Sequence, residues 1–416
     1  MQHSPLLLQL VIILGAARLL GLALRYVGQP PVIGEMAAGI LLGPIVFGAI
    51  APQFHAQLFN PSSLPPLEGL SQLGLVLFMF IVGAEMRLPM GIRAQLVAAS
   101  WVGVLAVVFP MALGFVIAVP LHSQLAPAGV GFWSFALFVA AAMSITAFPV
   151  MARILKERDM THTTIGRLSL TSAAIADVLA WIVLALVVVL ASSGGDWHRF
   201  ARLVVGVLLL SAIVFGLVRP LVALLLARYA ADGRPDGLLL ATLLIGTFAC
   251  AWTSGYLEVH PVFGAFVFGA CLPRDDRLLH SLIERIEHVA ILVLMPVFFA
   301  LAGLNTTPDA FIGAGFGVLL LILGVAVAGK IAGGALGARV AGQPWRSALA
   351  VGSLMNARGL MELIVMKVGL DIGVIGRELF TMLLVMAILT TVMTGPLLTL
   401  FGGRKAVARE IREPAQ

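Results

Sequence analysis

Long apolar stretches alternate with short polar turns along almost the whole chain. A helix rises about 1.5 Å per residue, so about 20 apolar residues cross the roughly 30 Å of hydrocarbon in a bilayer. We predict about thirteen membrane helices, over 6–27, 30–50, 67–87, 95–119, 131–154, 163–193, 201–227, 237–254, 257–273, 287–304, 311–340, 346–370 and 378–402. The opening MQHSPLLLQL lacks a basic segment and a small-residue cleavage site, which favours a retained first helix over a signal peptide.

The composition is that of a polytopic membrane protein. Of the 416 residues, 60% are hydrophobic and 11% are charged, whereas soluble domains carry about 25% charged residues. The net charge of +6 comes from Lys and Arg residues scattered between the apolar stretches, which indicates topology signals rather than a nucleic-acid surface. We therefore expect no nucleic-acid partner and no cofactor.

The basic residues are unevenly divided between the two sides of the predicted bundle. They lie mainly at the odd-numbered turns and in the C-terminal tail, while the turns at 51–66 and 120–130 carry none. Because Lys and Arg near helix ends are retained in the cytoplasm, this pattern predicts an outside N-terminus and a cytoplasmic C-terminus.

Three pairs of segments resemble each other across the two halves of the chain. They are PVIGEMAAGILLGP from Pro31 with PVFGAFVFGACLPR from Pro261, LFMFIVGA from Leu77 with VFFALAGL from Val297, and SITAFPV from Ser144 with LMNARGL from Leu354. Each pair is offset by seven predicted helices, and an odd offset inverts the second copy in the membrane.

This offset predicts two inverted repeats, 1–193 and 237–403, joined by a linker helix within 194–236 and followed by a short cytoplasmic tail at 404–416. Inverted repeats that carry interrupted helices at matching positions are typical of secondary transporters, and the transport site lies where the interruptions meet. The fold class predicted is therefore an all-α polytopic membrane protein with inverted repeats and two interrupted helices.

Several polar side chains fall close to the predicted membrane midplane. Asp177, Lys330, Asn356 and Arg358 lie nine to twelve residues from a cytoplasmic arginine of the same helix, a depth of about 15 Å. A charged side chain at this depth costs at least about 2.5–3.5 kcal/mol, so such residues mark an ion pathway or a paired site.

Asp177 is the candidate binding residue for both a monovalent cation and a proton. Desolvation penalises the charged form of a carboxylate, so a partly buried aspartate holds a proton more readily than an exposed one. It then binds either a proton or a cation, and competition for one carboxylate suffices to couple their exchange. The alternative is that Asp177 satisfies a polar group in a packed bundle.

Two further residues offer oxygen ligands beside the first predicted interruption. Thr146 and the carbonyl groups freed by Pro149 are candidate neutral ligands for a partly dehydrated cation. The alternative is a proline kink at which the threonine hydroxyl bonds its own helix. Ser144 and Asn356 flank the two interruptions and are predicted to support the site.

The remaining charged candidates have supporting roles. Arg358 and Glu362 are four residues apart and are expected to pair on one helix face, balancing the half-helix ends rather than carrying the ion. Lys330 either pairs with an acid, compensates helix dipoles or snorkels to the inner surface. Glu35 and Glu85 lie nearer the cytoplasmic ends, where they line an access funnel or a solvated surface.

Seven segments spread over the membrane part of the chain carry a further signal. They are QPPVIGEMAAGILLGP, LGLVLFMFIVGAEM, SITAFPVMARILKE, SAAIADVLAWIVLAL, VHPVFGAFVFGACLPR, GKIAGGALGARVAG and LMNARGLMELIVMKVG. Together they resemble the monovalent cation:proton antiporter-2 family, which includes Kef-type systems, sodium/proton antiporters and plant cation/proton exchangers. The resemblance implies a sodium/proton antiporter-type fold in which the two interrupted helices are unwound and cross. It also implies a homodimer in the bacterial inner membrane that moves its core against a scaffold in an elevator-like manner.

The resemblance also implies residue roles. Asp177 matches the family's cation- and proton-binding aspartate, Thr146 its unwound-helix ligand and Lys330 the lysine that faces the site. The residue before the aspartate is usually Asp, Asn or Gln, but here it is Ala176, so electroneutral exchange is the simpler hypothesis. The tail is also expected to lack the nucleotide-binding regulatory domain of Kef-type systems.

The leading interpretation is a secondary active antiporter that exchanges Na+ or K+ for protons. The alternatives are a potassium efflux pathway or an organic-anion carrier on the same fold. An intramembrane enzyme is disfavoured because the sequence contains no HExxH, GxSxG or paired GxGD-type motif.

Overall fold

The computed structural model describes residues 5–85, 93–161, 163–193, 197–229, 237–257, 260–272, 284–313 and 315–402. The regular elements that these residues form are all helices, and none of these residues forms a strand. The helices are α1 (Leu6–Tyr26), α2 (Pro31–Leu42), α3 (Phe47–Ile50), α4 (Pro52–Leu58), α5 (Leu64–Glu85), α6 (Arg93–Leu125), α7 (Phe132–Ser144), α8 (Phe148–Glu157), α9 (Thr164–Ser193), α10 (Trp197–Ile213), α11 (Arg219–Tyr229), α12 (Gly237–Tyr256), α13 (Pro261–Ala270), α14 (284–289), α15 (Met295–Leu304), α16 (Gly315–Val340), α17 (Trp345–Met355), α18 (Leu360–Asp371) and α19 (Arg377–Gly402). Two π-helical turns, Val214–Val218 and Ala290–Leu294, connect α10 to α11 and α14 to α15.

Ten helical stretches of the described residues are long and apolar enough to cross a membrane. They lie at the positions of the predicted spans other than the fifth, ninth and twelfth. At those three positions the helices are shorter: α7 with α8, α13, and α17 with α18. The chain is therefore a multi-pass, all-α membrane protein, as predicted, whereas the count of thirteen spans stays a prediction.

Two of the predicted helices are interrupted near their middles. The first stops at Ser144 and resumes at Phe148, and the second stops at Met355 and resumes at Leu360. Pro149 lies in the first turn of α8, where its missing N–H removes no helical hydrogen bond. The interruption therefore precedes the proline instead of following it.

The described chain divides into two compact units. The first comprises 1–15, 47–86 and 188–301, and the second comprises 16–46, 87–187 and 302–416. The core of the first unit includes stacked rings of Phe80 and Phe268, whose centroids are 6.0 Å apart. The core of the second unit joins residues of α6, α8, α9, α16 and α17 in one apolar cluster.

Within the second unit, glycines let α16 approach its neighbours closely. A Cβ at Gly333 would lie 2.5 Å from the Leu105 carbonyl oxygen of α6, and one at Gly334 would lie 2.8 Å from the Cα of Gly352 in α17. Small residues at such spacing allow helix backbones in a membrane to touch. This packing fixes the depth and rotation of α16, which carries Lys330 one turn earlier.

Candidate ion-binding site

The two interrupted helices meet at their breaks. The Ala147 amide donates a 2.9 Å hydrogen bond to the Ala357 carbonyl, and the Thr146 hydroxyl lies 3.4 Å from the Met355 carbonyl oxygen. Thr146, Ala147 and Ala357 are fully buried. The threonine hydroxyl therefore contacts the other interrupted helix. The kink alternative would require a bond to its own helix instead.

Lys330 points its ammonium group at the first break and is completely buried. The Nζ atom donates to the Ala106 carbonyl of α6 at 3.0 Å, to the Thr146 hydroxyl at 2.7 Å and to the Ser144 carbonyl. An ammonium has three donors, and all three are used here. The snorkelling alternative is therefore wrong, and compensation of a helix end is the geometry observed.

Arg358 connects the second break to the first. Its Nη1 atom donates to the Ala142 carbonyl at 2.9 Å and its Nη2 atom to the Met143 carbonyl at 2.8 Å. Nη1 also lies 2.5 Å from Oε1 of Glu362, so the expected i,i+4 ion pair is present, with both side chains fully buried. Glu362 occupies the first turn of α18, where a negative charge is favourable.

The C-terminal end of α7 is completely saturated by side chains. The last four carbonyl groups of a helix have no partner within it, and cations are favourable there. The donors to residues 141, 142, 143 and 144 are, in order, the hydroxyl of Ser144, both terminal nitrogens of Arg358 and the ammonium of Lys330. The carbonyls of 141–144 are therefore already hydrogen-bonded in this conformation.

Three buried oxygen atoms of the predicted site residues lack a hydrogen-bond partner among the described residues: Oδ1 of Asp177, Oδ1 of Asn356 and Oε2 of Glu362. Oδ1 of Asp177 makes no hydrogen bond with any described residue, and the residue is only 3% exposed. Asn356 donates from Nδ2 to the Thr390 carbonyl at 3.1 Å, but its own Oδ1 is buried and unpaired among the described residues. An unsatisfied buried acceptor costs about 1–3 kcal/mol, which a bound proton or cation would offset.

Charge and apolar packing both act on Asp177. Lys330 interacts with it electrostatically, although the part of the chain that the structure describes contains no ion pair between the two within 4 Å. Ala176 is fully buried in the same apolar cluster as Ala147 and Leu354. No polar side chain therefore stands at position 176 to bond the lysine.

Of the other predicted residues, the structure describes the side chain of Glu35 alone. Glu35 of α2 is 8% exposed and its Oε1 atom lies 3.9 Å from Nη1 of Arg18, so its surroundings are not a solvated surface. No hydrogen bond or ion pair among the described residues links Glu35 to Asp177. The side chains of Glu85 and Pro149 lie outside the described residues.

Several contributors escape sequence reasoning. The carbonyls of Ala106, Ala142 and Met143 carry no side-chain signal, because any residue supplies the same oxygen. Thr390 and Thr391 do carry a sequence signal, because two adjacent hydroxyl side chains stand out in an apolar helix. Thr391 accepts the Arg358 amide at 3.0 Å and so holds the second break.

Comparison with known proteins shows the family to which the chain belongs. The family profile described as "Sodium/hydrogen exchanger, transmembrane" matches residues 10–401. The Na(+)/H(+) antiporter NhaS4 of Synechocystis is 37% identical over 397 residues, which cover 94% of this chain and 96% of that protein.

Two eukaryotic relatives are longer. The K(+)/H(+) antiporter 1 of Saccharomyces cerevisiae is 34% identical, and the match covers 99% of this chain and 49% of that protein. Cation/H(+) antiporter 17 of Arabidopsis thaliana is 36% identical, with 95% and 48% covered. The chain thus spans about half the length of these two relatives.

One solved structure has the same fold. The sodium proton antiporter MjNhaP1 of Methanocaldococcus jannaschii superposes with a TM-score of 0.61, covering 95% of this chain and 99% of that one. Its sequence identity is 14%, so the likeness concerns the fold.

Proposed function

The chain belongs to the sodium/hydrogen exchanger family, and from that membership we propose that it is a secondary active antiporter that exchanges Na+ or K+ for protons. The observation that carries the proposal is the carboxylate of Asp177, which is buried with an unpartnered oxygen and interacts electrostatically with Lys330. The named relatives transport Na+, K+ or unspecified cations, so both ions remain candidate substrates.

Exchange follows from competition for one carboxylate. Protonation neutralises the buried charge of Asp177, and a bound cation does the same by pairing with it, so each event excludes the other. Hard monovalent cations prefer oxygen ligands. The unpaired Oδ1 of Asn356 and the hydroxyl of Thr146 are the neutral oxygens that we assign to the cation beside Asp177.

We further propose that the exchange is electroneutral. Asp177 is the one buried carboxylate of the site without a cation in contact, because Glu362 is paired with Arg358. Lys330 stays fixed by three hydrogen bonds to neutral oxygens. One proton then leaves for each monovalent cation that enters, and the charge of the site is the same in both loaded states.

The inverted repeats 1–193 and 237–403 also remain part of the proposal. Gly34 and Gly264 occupy matching positions in the two repeated motifs, and each makes a close backbone approach to the preceding long helix. A Cβ at Gly34 would meet Gly21 of α1, and a Cβ at Gly264 would meet Cys250 of α12. Equivalent glycines in equivalent contacts support a shared ancestral packing.

The remaining parts of the proposal rest on the family resemblance and on loop charge. They are a homodimer in the bacterial inner membrane, an outside N-terminus, a cytoplasmic C-terminus and elevator-like movement of the unit that holds Asp177. The midplane carboxylate argues against an organic-anion carrier, because an anion would be repelled by it.

The proposal is tested by cation-induced proton movement in proteoliposomes that contain a pH-sensitive dye. Wild type, Asp177→Asn and Ser172→Ala are compared with Na+, K+, Rb+ and Li+. Ser172 is a matched control, because it is buried on the same helix and its hydroxyl has one hydrogen-bond partner among the described residues, the Leu168 carbonyl at 2.7 Å. We expect signals from wild type and Ser172→Ala but not from Asp177→Asn; full activity of Asp177→Asn would refute the mechanism.

A further inference from the structure

A polar cavity separate from the ion site lies in the same unit, on the side of the membrane that loop charge predicts to be cytoplasmic. Its volume is about 390 Å³, within the range of about 300–1,000 Å³ that small-molecule sites occupy. The cavity is formed where the turn between α1 and α2, the end of α8 and the middle of α19 come together. Its lining residues are Arg25, Gly28, Gln29, Pro30, Ile154, Arg158 and Gly395.

Among the described residues, the lining contains two arginines and no acidic residue. The guanidinium of Arg25 has no hydrogen bond or ion pair with another described residue. Arg158 donates to the Thr399 hydroxyl at 2.8 Å and to the Gly395 carbonyl at 3.1 Å, which holds its guanidinium at the cavity wall. The cavity therefore contains the guanidinium of Arg158, held in place by hydrogen bonds, and that of Arg25, which makes none with the described residues.

The other walls are also held in place. The side-chain amide of Gln29 lies 3.4 Å from the Val392 carbonyl of α19, so the turn that follows Arg25 is tied to α19, the helix that Arg158 also contacts. Gly28 has a φ of +72°, a conformation that favours glycine and leaves no Cβ at this corner. The pocket is thus a shaped recess and not merely two neighbouring surface charges.

We propose that this cavity binds a phosphate group, with Arg25 and Arg158 as its ligands. A guanidinium matches a phosphate in geometry and charge and donates two parallel hydrogen bonds to it. Basic recesses between membrane helices on the cytoplasmic side are suited to anionic headgroups, and a soluble phosphate compound offers the same group. The ligand is therefore a phosphate carried by an anionic lipid or by a small cytoplasmic molecule.

Occupancy of the cavity is expected to act on transport. Arg158 ends α8, whose other end begins at the crossing beside Thr146. The helix has 10 residues, so the cavity and the crossing are separated by about 15 Å of rigid helix. A phosphate that bridges Arg25 and Arg158 would tie α8 to the α1–α2 turn and so change the exchange rate without contacting the ion.

The test measures binding directly, so that it does not depend on the transport activity proposed above. Arg25→Gln is the principal variant because no described hydrogen bond is lost with its guanidinium. Arg158→Gln is the second variant, and Arg339→Gln is the control: Arg339 is a basic residue outside the cavity that contacts the Trp345 ring and the Gln343 carbonyl. Melting temperatures verify that each variant folds.

Two arms separate the two sources of phosphate. In the first, inorganic pyrophosphate is titrated into delipidated protein by calorimetry. In the second, native mass spectrometry follows phosphatidylglycerol binding to protein taken from phosphatidylcholine vesicles with and without that lipid. Binding in one arm that weakens about five- to ten-fold in Arg25→Gln, with Arg339→Gln unchanged, supports the site and identifies the source.

Other results overturn the proposal. Equal binding by wild type and both cavity variants would place the phosphate elsewhere on the protein. Absence of binding in both arms would show that the cavity takes no phosphate. Neither result would bear on cation exchange through Asp177, and a silent Asp177→Asn variant that still binds phosphate would leave the cavity proposal intact.

Discussion

The Ala147 amide and the Ala357 carbonyl form a 2.9 Å hydrogen bond that joins the two interrupted helices at their breaks. Each break therefore supplies a main-chain partner to the other, which reduces the number of unpaired groups that unwinding creates in a membrane interior. Lys330 and Arg358 donate to three carbonyls at the end of α7. The breaks are thus a fixed junction and not a pair of independent hinges.

Glycine packing on α16 gives the first prediction. Gly333→Ala would place a methyl group 2.5 Å from the Leu105 carbonyl oxygen, so α16 must shift and pull Lys330 from Ala106. We expect a loss of about 1–3 kcal/mol in stability together with slower exchange. Thermal unfolding in detergent and the proteoliposome assay measure the two effects.

Gly324→Ala is the matched control on the same helix. A Cβ at Gly324 has nothing within 4 Å, and alanine is favoured over glycine in a helix interior by about 0.5–1 kcal/mol. This variant should be as stable as wild type or slightly more so. If the two substitutions behave alike, the close approach of α16 to α6 does not position the site.

Removal of the buried lysine gives the second prediction. Lys330→Met keeps the size of the side chain but leaves the Ser144 and Ala106 carbonyls without their donor. Each unsatisfied buried group costs about 1–3 kcal/mol, so the melting temperature should fall clearly. Lys367→Met serves as control, because Lys367 pairs only with Asp371 and is partly exposed; an equal loss in both variants would contradict the capping role.

The shape of the guanidinium gives the third prediction. In Arg358→Lys the charge is kept, but one ammonium cannot donate to Ala142, Met143 and Glu362 with the geometry of the planar fork. We expect stability to fall by about 1–3 kcal/mol. Unfolding of the purified variant by heat or denaturant provides the measurement.

Arg346→Lys is the control for that substitution, since Arg346 is exposed and donates one bond, to the Phe401 carbonyl at 3.1 Å. It should change stability by less than about 0.5 kcal/mol. A harmless Arg358→Lys would mean that charge alone, without bidentate bonding, holds the end of α7.

Electroneutral exchange gives the fourth prediction. Because Asp177 is the single unpaired acid of the site and position 176 is alanine, an imposed membrane potential should leave the rate of exchange unchanged. Proteoliposomes with potential set by an ionophore test this, with protein-free liposomes as the control for leakage. A transport current that reverses at a potential other than zero would show that unequal charges are exchanged.

Much of the helical framework was accessible from hydrophobic pattern alone. Apolar length predicts where the helices run, and the residues before Pro149 and Gly359 predict where two of them stop. The Arg358–Glu362 pair follows from spacing, because residues four apart share a helix face. These features depend on neighbours in sequence, which a pattern records.

The contacts of Lys330 were beyond such reasoning. Its donors end on carbonyls of α6 and α7 and on one hydroxyl, partners more than 180 positions away in sequence. Whether Lys330 pairs with an acid, compensates a helix dipole or reaches the membrane surface depends on the rotation of α16 about its axis. Glycine packing against α6 and α17 sets that rotation. The hydrogen bonds to the α7 carbonyls could not be predicted either, because their donors Lys330 and Arg358 are distant in sequence.

The saturated end of α7 has a consequence for which substitutions the site tolerates. The bonds from Lys330 and Arg358 end on main-chain oxygens, so the side chains at 142 and 143 are free to vary within the limits of packing, while the two cations are not. Substitutions should therefore be tolerated better at 142 and 143 than at Lys330 and Arg358. Lys330 and Arg358 bind the main-chain carbonyls of a helix end, and these carbonyls stay in place when the side chains at 142 and 143 are substituted.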